Sequence, residues 1–199
     1  MAFGLSQRFD NFIAELVGLL PSEFHGHYQQ SIRAQLLKSY VEKPQGTFWK
    51  MKLIDDNKAH LVKGLDAKNV IRLNDSHLPE LEKMYQLAYP DGFFNKRELK
   101  TGKYFGYLID NKIVSCAGVH VDSEEHGVTA LGSIATLPEF REKGYATIVT
   151  ARLLKEIMDK REVIMLNVDS QNAAAVKCYS NLGFEKTHEY QEGFFTLKQ

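Results

Sequence analysis

A mixed α/β domain carrying a helical N-terminal extension is the fold class this sequence predicts, on three observations. Strand-like and helix-like stretches alternate through most of the chain. A hairpin pattern lies in the middle, where Tyr104 to Ile109 and Lys112 to Val121 flank the turn pair Asp110-Asn111. From Ala130 to Met158 the chain reads as a strand, a basic loop containing glycine, and an amphipathic helix. A chain of 199 residues that is 44% hydrophobic has room for one such domain, a real core and a small addition.

The elements follow in order. Phe9, Phe12, Ile13, Leu16, Val17 and Leu20 share one face of a first helix that ends before Pro21. A second helix is expected from about Tyr28 to Val41, with His25-Gly26-His27 as a polar interhelical loop. Thr47 to Ile54 alternates like a strand, and Asp55 to Lys58 reads as a turn. These elements are read as a helical hairpin with a strand that covers part of the main domain or equally mediates a homodimer, with extra core and packing favoured over a substrate-contacting role. Asn69 to Leu73 is a short strand. Asn74-Asp75-Ser76 then introduces a helix bearing Leu78, Leu81, Met84, Tyr85 and Ala88, which Pro90 closes. The aromatic turn Tyr89 to Phe94 leads to a short helix near Asn95 to Thr101 and then to the hairpin. After the long strand–loop–helix stretch come a strand (Val163 to Val168), a helix (Asn172 to Leu182) and two closing strands separated near Glu192-Gly193.

Charge narrows the function classes. Twenty-five basic residues balance twenty-five acidic ones, so bulk electrostatics argues for neither nucleic acid nor membrane, and any anion site must be local. Cys116 and Cys178 are too few for a disulfide framework and suit a reducing compartment. Met1 to Ser6 carries no basic residue, Asp10 and Glu15 interrupt the apolar positions, and Met1-Ala2 excludes a myristoylation signal. No apolar run is long enough to span a bilayer. A soluble, cytoplasmic protein is the expectation. His25 and His27 lack a third ligand at a recognisable spacing, so no metal is expected.

The local anion site is in the long stretch. Pro138 stops the strand, and Arg141-Glu142-Lys143-Gly144-Tyr145-Ala146 opens the helix. A glycine loop at a helix start presents free N–H groups beside the positive end of the helix dipole, and Arg141 and Lys143 add charge there. Neither a Walker loop nor a dinucleotide G-x-G-x-x-G is present. Arg141, Gly144 and Ala146 instead fill the signature [Q/R]-x-x-G-x-[G/A], and Asn172, Ala175, Tyr179, Gly183 and Phe184 fill a second block, N-x-x-A-x-x-x-Y-x-x-x-G-F. From roughly Val70 to Lys198 the chain therefore resembles the GNAT acetyltransferase superfamily, and its second block looks most like the glycine-N-acyltransferase-like branch.

The resemblance implies a GNAT fold, a central mixed but mostly antiparallel sheet flanked by helices. Residues 67–199 would form the acyltransferase domain and residues 1–66 the helical extension with its strand. It implies acetyl-CoA as co-substrate and a small-molecule or peptide amine as acceptor, with direct attack in a ternary complex. The backbone of Ile134 and Thr136 would pair with the pantetheine arm. The N–H groups of Glu142, Lys143, Gly144, Tyr145 and Ala146, with the Arg141 side chain nearby, would hold the pyrophosphate. Asn172 would bond the cofactor arm or act as a helix N-cap, and Tyr179 would protonate the departing thiolate. Phe93, Phe94 and Tyr104 are read as core aromatics before acceptor contacts. Some family members place a glutamate base where this chain has Ala130, which leaves His120, Glu124, Glu125 and Asp169 as candidates. The rival is a non-catalytic acyl-CoA-binding sensor, which has no use for Tyr179.

Overall fold

The computed structural model describes residues 7–64, 68–90 and 94–199, with side chains from residue 11 onward. Phe93 and the Phe9 side chain lie outside the described residues. The chain forms two compact units, one of Met1–Lys50, Val168–Asn172 and Lys186–Gln199, the other of Met51–Asn167 and Ala173–Glu185.

The first unit holds helices α1 (Gln7–Val17) and α2 (Gln30–Ser39), strand β1 (Glu23–Tyr28), and most of β2 (Tyr40–Leu53) and β8 (Phe184–Leu197). Its strand order is β1-β8-β2. Ile13, Val17, Tyr28, Leu36, Tyr40 and Phe195 form its core, with Leu20, Phe24 and Ile32 packed against them. Phe12 and Leu16, expected on the inner face, are 58% and 42% exposed, so the buried row of α1 is the narrower pair Ile13 and Val17. Two further expectations are corrected here. His25-Gly26-His27 is the middle of β1, because Phe24 and Tyr28 alternate onto the core while the histidines face outward. The closing strands are one continuous β8, in which Gly193 pairs with Gly26. A Cβ on Gly193 would sit 3.2 Å from the Glu42 Oε1 and Tyr28 Oη atoms, so this glycine makes room and does not turn the chain.

The second unit carries β3 (Val70–Arg72), β4 (Tyr104–Ile109), β5 (Lys112–Ser123), β6 (Val128–Thr136) and most of β7 (Val163–Asp169), ordered β7-β6-β5-β4-β3. Pairing is antiparallel from β3 through β6 and parallel between β6 and β7. Its helices are α3 (Asn57–His60), α4 (Leu78–Ala88), α5 (Tyr145–Ile157) and α6 (Ala173–Asn181). Asp110 and Asn111 take φ of 49° and 59°, the two left-handed residues of the tightest hairpin turn. Asn74 accepts from the Ser76 N–H at 3.0 Å and initiates the turn that leads into α4. Leu81, Met84, Tyr85 and Ala88 then bury against Leu99, Tyr104, Cys116 and Leu137, as their spacing predicts. This is the mixed, mostly antiparallel sheet with flanking helices that the element order implied. Among the described residues no helix is long and apolar enough to cross a membrane.

Candidate active site

Strand β6 sets the geometry. Its parallel pairing with β7 runs from Val128↔Val163 to Leu131↔Leu166, whereas β6 itself continues to Thr136. Beyond Leu131 its β7-side edge has no ladder partner among the described residues, and such an edge is a template for an extended chain. On the other side Ser115 and Cys116 of β5 pair with Thr136 and Ala135. The Ser115 and Thr136 hydroxyls lie 2.8 Å apart. Ile134 and Thr136, expected to carry the pantetheine pairing, therefore stand on the released segment.

Two bulges distort the β5–β6 ladder here. Ser133 and Ile134 together face Ala117, and His120 is the extra residue on β5 between the pairs Val119↔Leu131 and Val121↔Ala130. Ser133 takes φ 54°, a left-handed conformation that costs an L-residue about 1–2 kcal/mol. The surroundings hold it there: its carbonyl accepts bonds from the Tyr85 and Tyr104 hydroxyls and the Cys116 thiol. Burial pushes both tyrosines well above the ordinary phenol range and Cys116 up to about 11, so these groups stay protonated donors.

The bulges bring together three residues that are remote in sequence. Glu98, 5% exposed on the 3₁₀ turn Lys96–Thr101, accepts from the Ser133 hydroxyl at 2.6 Å. Its other oxygen lies 2.9 Å from His120 Nδ1. Gly132 makes space for this arrangement, since a Cβ there would stand 2.7 Å from His120 Cβ. Glu98 was not a candidate from sequence, because nothing in its neighbourhood shows that it folds under His120. The other base candidates go elsewhere. Glu124 pairs with Arg161 and Lys103, Glu125 is exposed, and Asp169 accepts from the Gln171 N–H at 2.8 Å.

The loop after β6 has the expected form. Gly144 caps α5 with φ 82° and ψ 1°, no side chain caps the helix, and nothing lies within 4 Å of a Cβ built on Gly144. The first intrahelical bond of α5 runs from the Ile148 N–H to the Gly144 carbonyl, so the N–H groups of Tyr145, Ala146 and Thr147 point out of the helix end. Arg141 donates from Nε to the Thr136 carbonyl at 3.2 Å and from Nη2 to the Ala88 carbonyl at 2.9 Å, bracing the loop against the end of α4. Lys143 donates to the Glu139 carbonyl at 3.0 Å. Glu142 is exposed at φ 63°, and the Tyr145 ring packs 4.4 Å from that of Tyr107.

Helix α6 meets the same helix end, with Cys178 Sγ 3.2 Å from the Thr147 hydroxyl. Burial raises the Cys178 thiol, which suits packing and not nucleophilic attack. Tyr179 is 7% exposed, lies edge-on to Phe184, and has its phenol pushed far above the ordinary value by burial. Phe94 stacks on Tyr85 at 4.5 Å and Tyr104 is fully buried, so both serve the core. Asn172, immediately before α6, donates its N–H to the Asp169 carbonyl at 3.0 Å.

A model of the acetyltransferase (GNAT) family matches residues 70–184. A search of curated proteins gives no match. Among solved structures, a GNAT-family acetyltransferase from Novosphingobium aromaticivorans is similar with TM-score 0.69 and 18% identity, over 94% of this chain and 80% of that one. The ribosomal-protein-S18-alanine N-acetyltransferase of Escherichia coli is similar with TM-score 0.51 and 17% identity, over 65% of this chain and 94% of that one. An Arabidopsis thaliana protein in complex with the bisubstrate analogue CoA-Ac-MVNAL gives TM-score 0.55 and 17% identity, over 63% of this chain and 95% of that one. At such identities each likeness shows the fold alone. The family match falls on the segment that holds the released strand edge, the glycine loop and α6, and the chain belongs to the GNAT family of acetyltransferases.

Proposed function

We propose that this acetyltransferase moves an acetyl group from acetyl-CoA to a primary amine of a small molecule or peptide, by direct attack in a ternary complex. The observation that carries the reading is the join of a released β6 edge to an uncapped helix start through Gly144. The edge offers main-chain partners to the amide-bearing pantetheine arm, and the α5 N–H groups offer donors to the pyrophosphate. The Arabidopsis protein solved with a CoA-containing bisubstrate analogue supports a CoA ligand for this fold.

The acid and base follow from the same geometry. With its Nδ1 proton held by Glu98, His120 presents an Nε2 lone pair, and its side chain is 54% exposed. His120 takes the ammonium proton, the amine nitrogen attacks the thioester carbonyl, the C–S bond breaks, Tyr179 protonates the thiolate, and the second proton shed by the attacking nitrogen restores the Tyr179 phenol. Burial keeps the Tyr179 phenol protonated, so it meets the departing thiolate as a hydrogen-bond donor. The Asn172-to-Tyr179 block and Leu182-Gly183-Phe184 favour a small-molecule acceptor of the glycine-N-acyltransferase-like kind.

Calorimetric titration with acetyl-CoA, followed by a screen of amines for thiol release, tests the reading. Tyr179→Phe separates enzyme from sensor: acetyl-CoA binding stays within threefold while turnover falls about a hundredfold. Binding without turnover of any amine by the wild-type protein would favour the sensor. No binding would remove both.

A further inference from the structure

The first unit places a third donor beside the two histidines that the sequence left unpaired. His25 and His27 project from the same face of β1, and β8 sets Glu192 directly opposite His27. The Glu192 carboxylate lies 3.3 Å from His27 Nε2 and 3.7 Å from His25 Nε2. One ligand atom from each of the three residues falls within 4.8 Å of the others. Zinc bonds of about 2.0–2.1 Å at the tetrahedral angle give ligand–ligand edges of about 3.3 Å, so the cluster is already near a coordination sphere.

The surroundings suit an ion. The histidine side chains are 42% and 52% exposed and accessible from solvent, whereas Glu192 is 17% exposed and held in place. Tyr190 donates its hydroxyl to the Glu192 Oε1 at 3.0 Å and so orients the carboxylate from behind. Gln45 on β2 accepts a hydrogen bond from His25 Nε2 through its side-chain oxygen, a bond that an ion at Nε2 displaces. Two imidazoles, one carboxylate and an open fourth position form a borderline-soft donor set that selects zinc and its first-row neighbours over calcium or magnesium.

We infer that His25, His27 and Glu192 form a binding site for a divalent first-row transition metal, zinc foremost, which clips β1 to β8 independently of the acetyl-transfer site. Each neutral imidazole binds the ion through the Nε2 lone pair with its single proton on Nδ1, and a ring that starts as imidazolium releases one proton to solvent.

The test uses the full chain, stripped with chelator and titrated with zinc chloride by calorimetry. One ion per chain is expected. His27→Ala and Glu192→Gln each weaken it at least tenfold, and His126→Ala, in the turn between β5 and β6, leaves it unchanged. Cobalt gives the intense visible bands of a tetrahedral site. At a hundredfold excess over Kd, zinc raises Tm by about 5–10 °C. Histidine-ring NMR of the wild-type protein needs no variant: of its seven histidines, zinc should shift His25 and His27. Non-saturating binding, equal affinity in both variants, or shifts spread over the other histidines would overturn the assignment. Acetyl-CoA binding, read separately, does not bear on it.

Discussion

Replacing Gly144 with alanine separates what the glycine does for the fold from what it does for the cofactor. Gly144 sits at φ 82° and ψ 1°, where an L-residue costs about 1–2 kcal/mol. A Cβ there meets nothing within 4 Å, so no clash adds to that strain. The stability loss is therefore about 1–2 kcal/mol, a fall in Tm of about 2–8 °C for a chain of this size. The cofactor effect is larger and has a different origin. The new methyl group would stand over the helix start where the proposed pyrophosphate site lies. Losing one charge-assisted N–H bond costs about 1.5–3 kcal/mol, or roughly ten- to a hundredfold in Kd for acetyl-CoA. Scanning calorimetry and isothermal titration on the same preparation read the two effects. A fall in Tm with Kd unchanged within threefold would refute this loop as the pyrophosphate site. A collapse of the fold would refute the claim that the glycine has open space.

Other perturbations probe the frame and the base. Gly183→Ala should cost at least about 3 kcal/mol in urea unfolding, because φ is 97° and the Cβ would lie 1.8 Å from the Asp55 carbonyl oxygen. His120→Gln should cut kcat about a hundredfold with acetyl-CoA affinity preserved, and Glu98→Gln should cut it less; an unchanged kcat would remove His120 as base. Asp122 accepts from Arg161 at 2.9 and 3.0 Å and from the Thr129 hydroxyl at 2.5 Å, and the Arg161 bonds hold its carboxyl far below the ordinary range. A depressed folded-state value means that this stability is complete above the unfolded pKa of about 4 and is lost as pH falls below it. Asp122→Asn should thus destabilise at pH 7 by about 1.5–3 kcal/mol, leaving Glu124 as the carboxylate partner of Arg161, and should flatten the acid limb of stability against pH.

The sequence by itself determined the elements whose signals are local. The Asp110-Asn111 turn, the Asn74 start before α4, the Pro138 stop and the Gly144 opening of α5 all depend on residues next to one another. These four features are legible because backbone geometry at turns and caps is set by the residues that occupy them. Elements without local punctuation were misread. β1 passed for a loop because its alternation is only Phe24, Gly26 and Tyr28, and β8 was divided at a glycine that sits there to clear Glu42 and Tyr28.

Only the tertiary structure decided the proton-handling groups and the histidine cluster. Glu98 meets His120 across 22 residues, and Glu192 meets His27 by strand register. Neither partnership leaves a mark on the chain, since two bulges and one pairing register choose which side chains converge, and ladder register depends on every packed residue of both strands.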